Sequence, residues 1–151
     1  VIHLVFTRLP GKMDRLQITR ADGSTAEVDC PRQGMIPHDM VHHAVESVLH
    51  APGFLRRVAA GEGLGFTEGA SLEAEPVERL VDVMQADVWS SGGTGNIAEM
   101  RALYQLACEE RGHPAAPVEA ADILQIRAVM ADLATRWNAV PLHGNLTLSL
   151  A

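Results

Sequence analysis

The sequence predicts an α+β fold, with strands and helices segregated along the chain rather than alternating. Three observations lead there. The first thirty residues have the short-period, β-branched character of strands, broken by turn dipeptides. Between Pro37 and Trp137 the apolar spacing is helical. The final stretch Asn145–Leu150, NLTLSL, alternates strictly again, with Leu146, Leu148 and Leu150 on one side. A closing strand of that kind is expected to rejoin the N-terminal sheet, giving one domain over residues 1–151.

Each element has its own justification. Val1–Thr7 is apolar enough to read as a strand buried on both faces, and Pro10-Gly11 punctuates the turn after it. Arg15–Arg20 alternates, Leu16 and Ile18 on one face and Gln17 and Thr19 on the other. Asp22-Gly23 closes a hairpin, and Ala26, Val28 and Cys30 face inward on the return strand. These three strands form an antiparallel meander. A helix is expected from Pro37 to about His50, with Pro37 at its first position. A second, short helical piece, GFLRRVAAG, ends at Gly61. Gly61–Glu75, rich in glycine and acid, has no period and reads as a long loop of the kind that often serves as a lid.

Pro76 is expected to open the next helix, whose stripe is Val77, Leu80, Val81, Met84 and Val88. SSGGTG interrupts the chain, and Asn96 with Glu99 resembles a capping box. Ile97, Met100, Leu103, Tyr104 and Ala107 line the helix that follows, which stops at Gly112 before Pro114. Pro117 is expected to open the last helix, apolar at Ile123, Ile126, Met130, Leu133, Ala134 and Trp137. The total is four to five helices.

Composition narrows the function classes. The net charge of −7 is uneven: twelve acids lie between Glu62 and Asp122, opposed only by Arg79, Arg101 and Arg111. Such a surface repels phosphate backbones, so no nucleic-acid partner is expected. Cys30 and Cys108 match no Cys-x-x-Cys pattern and read as buried free thiols. VIHLVFTRL lacks the features of a leader, and no apolar run reaches the ~20 residues of a membrane span. One lysine against eleven arginines, with abundant alanine, fits a GC-rich bacterial source. The expectation is a bacterial cytoplasmic protein without a membrane partner.

The one stretch that points to chemistry is MIPHDMVHHAVESVL, Met35–Leu49. His38 and His42 stand at i and i+4 with Asp39 directly after the first, one methylene short of the H-E-x-x-H of zinc peptidases. At about 100° per residue, Met40, Val41, Ala44, Val45 and Val48 form the buried face. His38 and His42 fall on its border. Asp39 and His43 fall on the opposite, wet face, and Glu46 continues the histidine line into solvent.

Three readings stay open. His38 and His42 would ligate a divalent metal such as Zn, with Asp39 as general base on the metal-bound water. His38, Asp39, His42, His43 and Glu46 would form a polar network with no ion. A metal-free histidine would serve in acid–base chemistry or ligand binding. A metal site needs a third ligand, and Glu46 lies roughly 12 Å along the axis from His38. His3, His143 or a loop acid would have to supply it. The segment IPHDMVHHAVES with the following GFLRRVAAGEG also resembles a recurring pattern in small bacterial proteins of uncharacterised function. The resemblance touches Pro37, His38, Asp39, His42, Val45, Glu46, Gly53 and Phe54. It implies no activity.

Elsewhere, SSGGTGN before a helix could cradle an anion, but it reads better as a linker with an Asn cap. Arg56-Arg57 could hold a carboxylate. The leading expectation is a binding or structural module, working as a homodimer or with a small-molecule ligand. The alternative is a metal-dependent hydrolase.

Overall fold

A computed structural model of the chain describes residues 1–33, 36–50, 53–60 and 74–150. Strands β1 (Ile2–Thr7), β2 (Met13–Thr19) and β3 (Thr25–Gln33) form the antiparallel meander, and a two-residue strand β4 (Ile36–Pro37) pairs with the end of β3. Five helices follow: α1 (His38–Leu49), α2 (Phe54–Ala59), α3 (Ala74–Ser91), α4 (Ile97–Glu110) and α5 (Ala120–Asn138). The chain closes with β5 (Asn145–Leu150), which returns to β1 in antiparallel register, Ile2 opposite Leu150 and Phe6 opposite Leu146. The sheet order is β4-β3-β2-β1-β5. The fold is α+β with the topology that the alternation at both ends of the chain requires.

One face of the sheet is inside. Leu4 and Phe6 from β1, Leu16 and Ile18 from β2, Cys30 from β3, and Leu148 and Leu150 from β5 are buried in one core with the helices. The other face is not: His3 is exposed, and Val5 and Gln17 are half-buried. This corrects the expectation that β1 is buried on both sides. Its Val5 belongs to the outer face of a one-sided antiparallel sheet.

α1 sits in the middle of the structure, packed against α2, α3, α5, β3 and β4. That position decides the fate of its polar residues. Asp39, His42, His43 and Glu46 are all buried, so the expected wet face of α1 does not exist. A helical projection assumes one neighbour and one solvent side; α1 has neighbours all round.

Smaller differences have local causes. α3 begins at Ala74 rather than Pro76, placing Pro76 in the first turn, where its missing N–H costs no bond. Residues 61–73 of the expected loop lie outside the described residues. α5 begins at Ala120, three residues after Pro117, because Glu119 and Asp122 each accept the other's backbone N–H. On α4 the buried stripe is Met100, Tyr104 and Cys108, while Leu103 is exposed. Both cysteines are free and buried. Among the described residues, no helix is long and apolar enough to cross a membrane.

Candidate metal centre

α1 starts directly after β4, with Pro37 as its N-cap residue. The strand β4 thereby delivers His38 and His42 to the side of α1 that packs on α3. The i, i+4 spacing stacks their rings edge to face with centroids 5.0 Å apart. α3 presents Glu78 to the pair. One ligand atom from each of His38, His42 and Glu78 lies within 4.8 Å of the others, and this group could hold a metal ion. His42 Nε2 stands 3.5 Å from Glu78 Oε1. Bonds of ~2.0–2.1 Å in a tetrahedral shell separate ligand atoms by roughly 3.3 Å, so this edge already has close to the spacing required. His42 and its surroundings are buried, whereas His38 and Glu78 are half-buried and give the group a solvent side.

The second ring nitrogens differ in their surroundings. His38 Nδ1 lies 3.1 Å from Gln85 Oε1. Because that oxygen only accepts, the ring donates its Nδ1–H and leaves Nε2 as the free nitrogen. His42 Nδ1 faces Glu46 Oε2 at 3.6 Å, a separation for charge attraction rather than a hydrogen bond. Burial opposes charging of His42, but Glu46, Glu78 and Asp39 outweigh it and hold its pKa above the ordinary imidazole value. His38 is thus oriented by an oxygen at Nδ1, while His42 Nδ1 has no hydrogen-bond partner among the described residues and its Nε2 faces Glu78. Metal-ligating histidines are held as His38 is.

Glu46 does more than face His42. Its side chain is fully buried and accepts the backbone N–H groups of Gly53 (3.2 Å), Leu55 (3.1 Å) and Arg56 (3.0 Å). These are the N–H groups that the start of α2 leaves without intrahelical partners. Glu46 is therefore the carboxylate that ties α2 to α1. The solvent exposure expected for it is wrong for that reason.

Asp39 and His43 point elsewhere. Asp39 is buried and accepts the Cys30 thiol, Sγ to Oδ2 at 3.0 Å, which joins α1 to β3. Burial and the neighbouring carboxylates, Asp39 first, push the Cys30 thiol far up, so it stays a neutral S–H donor. Asp39 is not in the His38–His42–Glu78 group. His43 lies toward α5, where burial lowers its pKa, Glu46 partly opposes this, and Arg136 adds to the lowering. Its Nδ1 has no hydrogen-bond partner among the described residues.

Among the described residues the third candidate ligand is neither His3 nor His143, and the acids of the expected loop at 61–73 lie outside the described residues. His3 is on the exposed sheet face beside Ser149, and His143 is in the turn before β5, its backbone N–H bonded to Arg8. Glu78 was missed because it sits in a run of acids that looks like a solvated surface. A signal was nonetheless available. Gln85 falls four residues after Val81 and three before Val88, a polar residue inside an apolar stripe, and Glu78 is two turns before it on the same face. The SSGGTGN anion reading gives way to the linker. Gly95 N–H donates to Asp87 Oδ1 at 2.8 Å, and Asn96 Oδ1 accepts Glu99 N–H at 3.0 Å. Comparison of the chain with models of known protein families, with curated proteins and with solved structures finds no match.

Proposed function

We propose that this protein binds a divalent transition metal through His38, His42 and Glu78. The observation that carries the reading is the convergence of His38, His42 and Glu78, one ligand atom of each within 4.8 Å of the others. Gln85 orients His38 at Nδ1, and His42 Nε2 faces Glu78 at 3.5 Å. Two imidazoles and one carboxylate suit zinc, or iron(II), better than the all-oxygen preference of calcium or magnesium. Three protein ligands leave coordination positions for water or substrate, and the half-buried Glu78 keeps that side reachable. Hydrolysis by metal-bound water is the reaction class that such a centre supports. Asp39, occupied by Cys30, has no part in it on this reading.

The test is metal analysis of untagged protein equilibrated with zinc and then desalted. One zinc per chain is expected, and His42→Ala and Glu78→Gln should each weaken it beyond the 10–100-fold typical of outer-shell changes. Sub-stoichiometric zinc that neither substitution alters would sink the proposal. Hydrolysis is read separately, as chelator-sensitive cleavage of an activated ester. Stoichiometric zinc with no cleavage keeps the metal centre and removes the hydrolase.

A further inference from the structure

The two edges of the sheet are finished differently. β4, at one edge, is two residues long and ends on Pro37, which has no N–H to offer a further strand. β5, at the other, runs for six residues, NLTLSL, with no charge and no proline. The register shows which groups its outer side presents. Arg8 N–H donates to Gly144 C=O at 3.0 Å. Pairs alternate from there, so Phe6–Leu146, Leu4–Leu148 and Ile2–Leu150 exchange the ladder bonds. Asn145, Thr147 and Ser149 therefore point their N–H and C=O groups away from β1. All three residues are exposed, and among the described residues those backbone groups have no hydrogen-bond partner.

We propose that this edge is the interface of a two-fold homodimer, in which β5 pairs antiparallel with β5 of a second copy, Thr147 opposite Thr147. That register gives every free N–H a free C=O: the two Thr147 residues bond each other, and Asn145 bonds Ser149 of the second copy on either side. It also matches the faces. Half-buried Leu146 comes to lie beside Leu148 of the second copy on the core side, and the exposed Asn145, Thr147 and Ser149 meet their counterparts on the solvent side. Charge favours a second copy as the occupant. The chain carries −7, so two copies meet with least repulsion where no charge stands. β1 and β5 have no acidic or basic side chain except His3, whereas β2 and β3 carry Asp14, Arg15, Glu27, Asp29 and Arg32. One strand pair buries less than the ~1,200–2,000 Å² of a standard interface, so the dimer is weak and reversible.

Sedimentation velocity of the full chain over a concentration series should show a monomer–dimer equilibrium. Amide exchange followed by NMR locates it. The N–H groups of Asn145, Thr147 and Ser149 should exchange freely in dilute protein and become protected in concentrated protein, while those of Leu146, Leu148 and Leu150 are protected in both. Thr147→Lys and Thr147→Glu each set like charges opposite one another at the two-fold axis and should leave monomers; mixing the two variants should restore a dimer. Thr147→Pro removes a donor that β1 does not use, so that chain should fold and not dimerise. A wild-type chain that stays monomeric throughout the series, or forms open-ended larger assemblies, overturns the proposal. So does a dimer that survives both charge variants, or a mixture of them that stays monomeric. Should Thr147→Pro fail to fold, the charge variants decide the matter.

Discussion

Glu46→Gln removes one charge from the most enclosed polar group of the site and changes almost nothing in shape. The carboxylate accepts three backbone N–H groups, two on Oε1 (Gly53 and Arg56) and one on Oε2 (Leu55), and Oε2 also faces His42. A glutamine keeps one oxygen. Its better orientation preserves the Gly53 and Arg56 bonds and turns an NH2 against Leu55 N–H, leaving that donor buried and unmet. A hydrogen bond to a charged group is worth about 1.5–3 kcal/mol, and an unmet buried donor costs a similar amount. These overlap, so the expected loss is about 2–3 kcal/mol. At ~2–4 °C per kcal/mol for a chain of this length, the melting temperature should fall by roughly 4–12 °C. Urea unfolding followed by circular dichroism measures the free energy directly. Gly53→Ala gives a second approach to the same contact. A Cβ there would lie 2.7 Å from Glu46 Cδ and 2.8 Å from Val77 Cγ1, with a backbone φ of −120° that any residue adopts. Its cost of about 1–3 kcal/mol would come from displacement alone. Because both substitutions disturb one contact, the double variant should cost less than their sum. A Glu46→Gln loss below about 0.5 kcal/mol, the range of ordinary surface changes, would refute the claim that this carboxylate holds the start of α2.

Three further outcomes follow from named groups. His42 and His43 are sequence neighbours with opposite shifts, so NMR titration should place His42 above and His43 below the usual value of 6.5. The signs follow: the His42 contribution to stability is present below its unfolded pKa and lost as pH rises through the folded one. That of His43 is present at higher pH and lost as pH falls. Both rings titrating together would refute the assigned environments. Tyr104 is the only tyrosine, so phenolate absorbance reports it alone; burial should raise its pKa to about 12, and its stabilising effect should disappear between ~10 and that value. Phenolate formation near 10 in the folded protein would contradict its burial. Asp87→Ala should cost about 3–5 kcal/mol, because it leaves Arg127 and Gly95 N–H without a buried carboxylate; a loss under ~1 kcal/mol in denaturant unfolding would remove that network as a support of α3 and α5.

Much of the fold was legible because its signals are local. Alternation in Arg15–Arg20 and Asn145–Leu150, the Asp22-Gly23 turn, and the α5 stripe from Ile123 to Trp137 each depend only on near neighbours in sequence. Gly23 indeed adopts a positive φ of 87°, and all six named α5 residues are buried. Helix starts were less legible. Ala74 and Ala120 are fixed by first-turn tolerance of Pro76 and by reciprocal capping at Glu119, and each competes with a nearby proline that looks like a start.

The sequence by itself determined that His38 and His42 share one helix edge, since a 3.6-residue period allows nothing else. What stands opposite them was decided by tertiary structure alone. Packing α3 on α1 brings Glu78 and Gln85 to the pair, and packing on α2, β3 and α5 encloses Glu46, Asp39 and His43. The physical reason is that a helix period gives the direction of a side chain, whereas burial and ligation depend on how many neighbours surround the helix. For α1 that number was set by contacts distant in sequence.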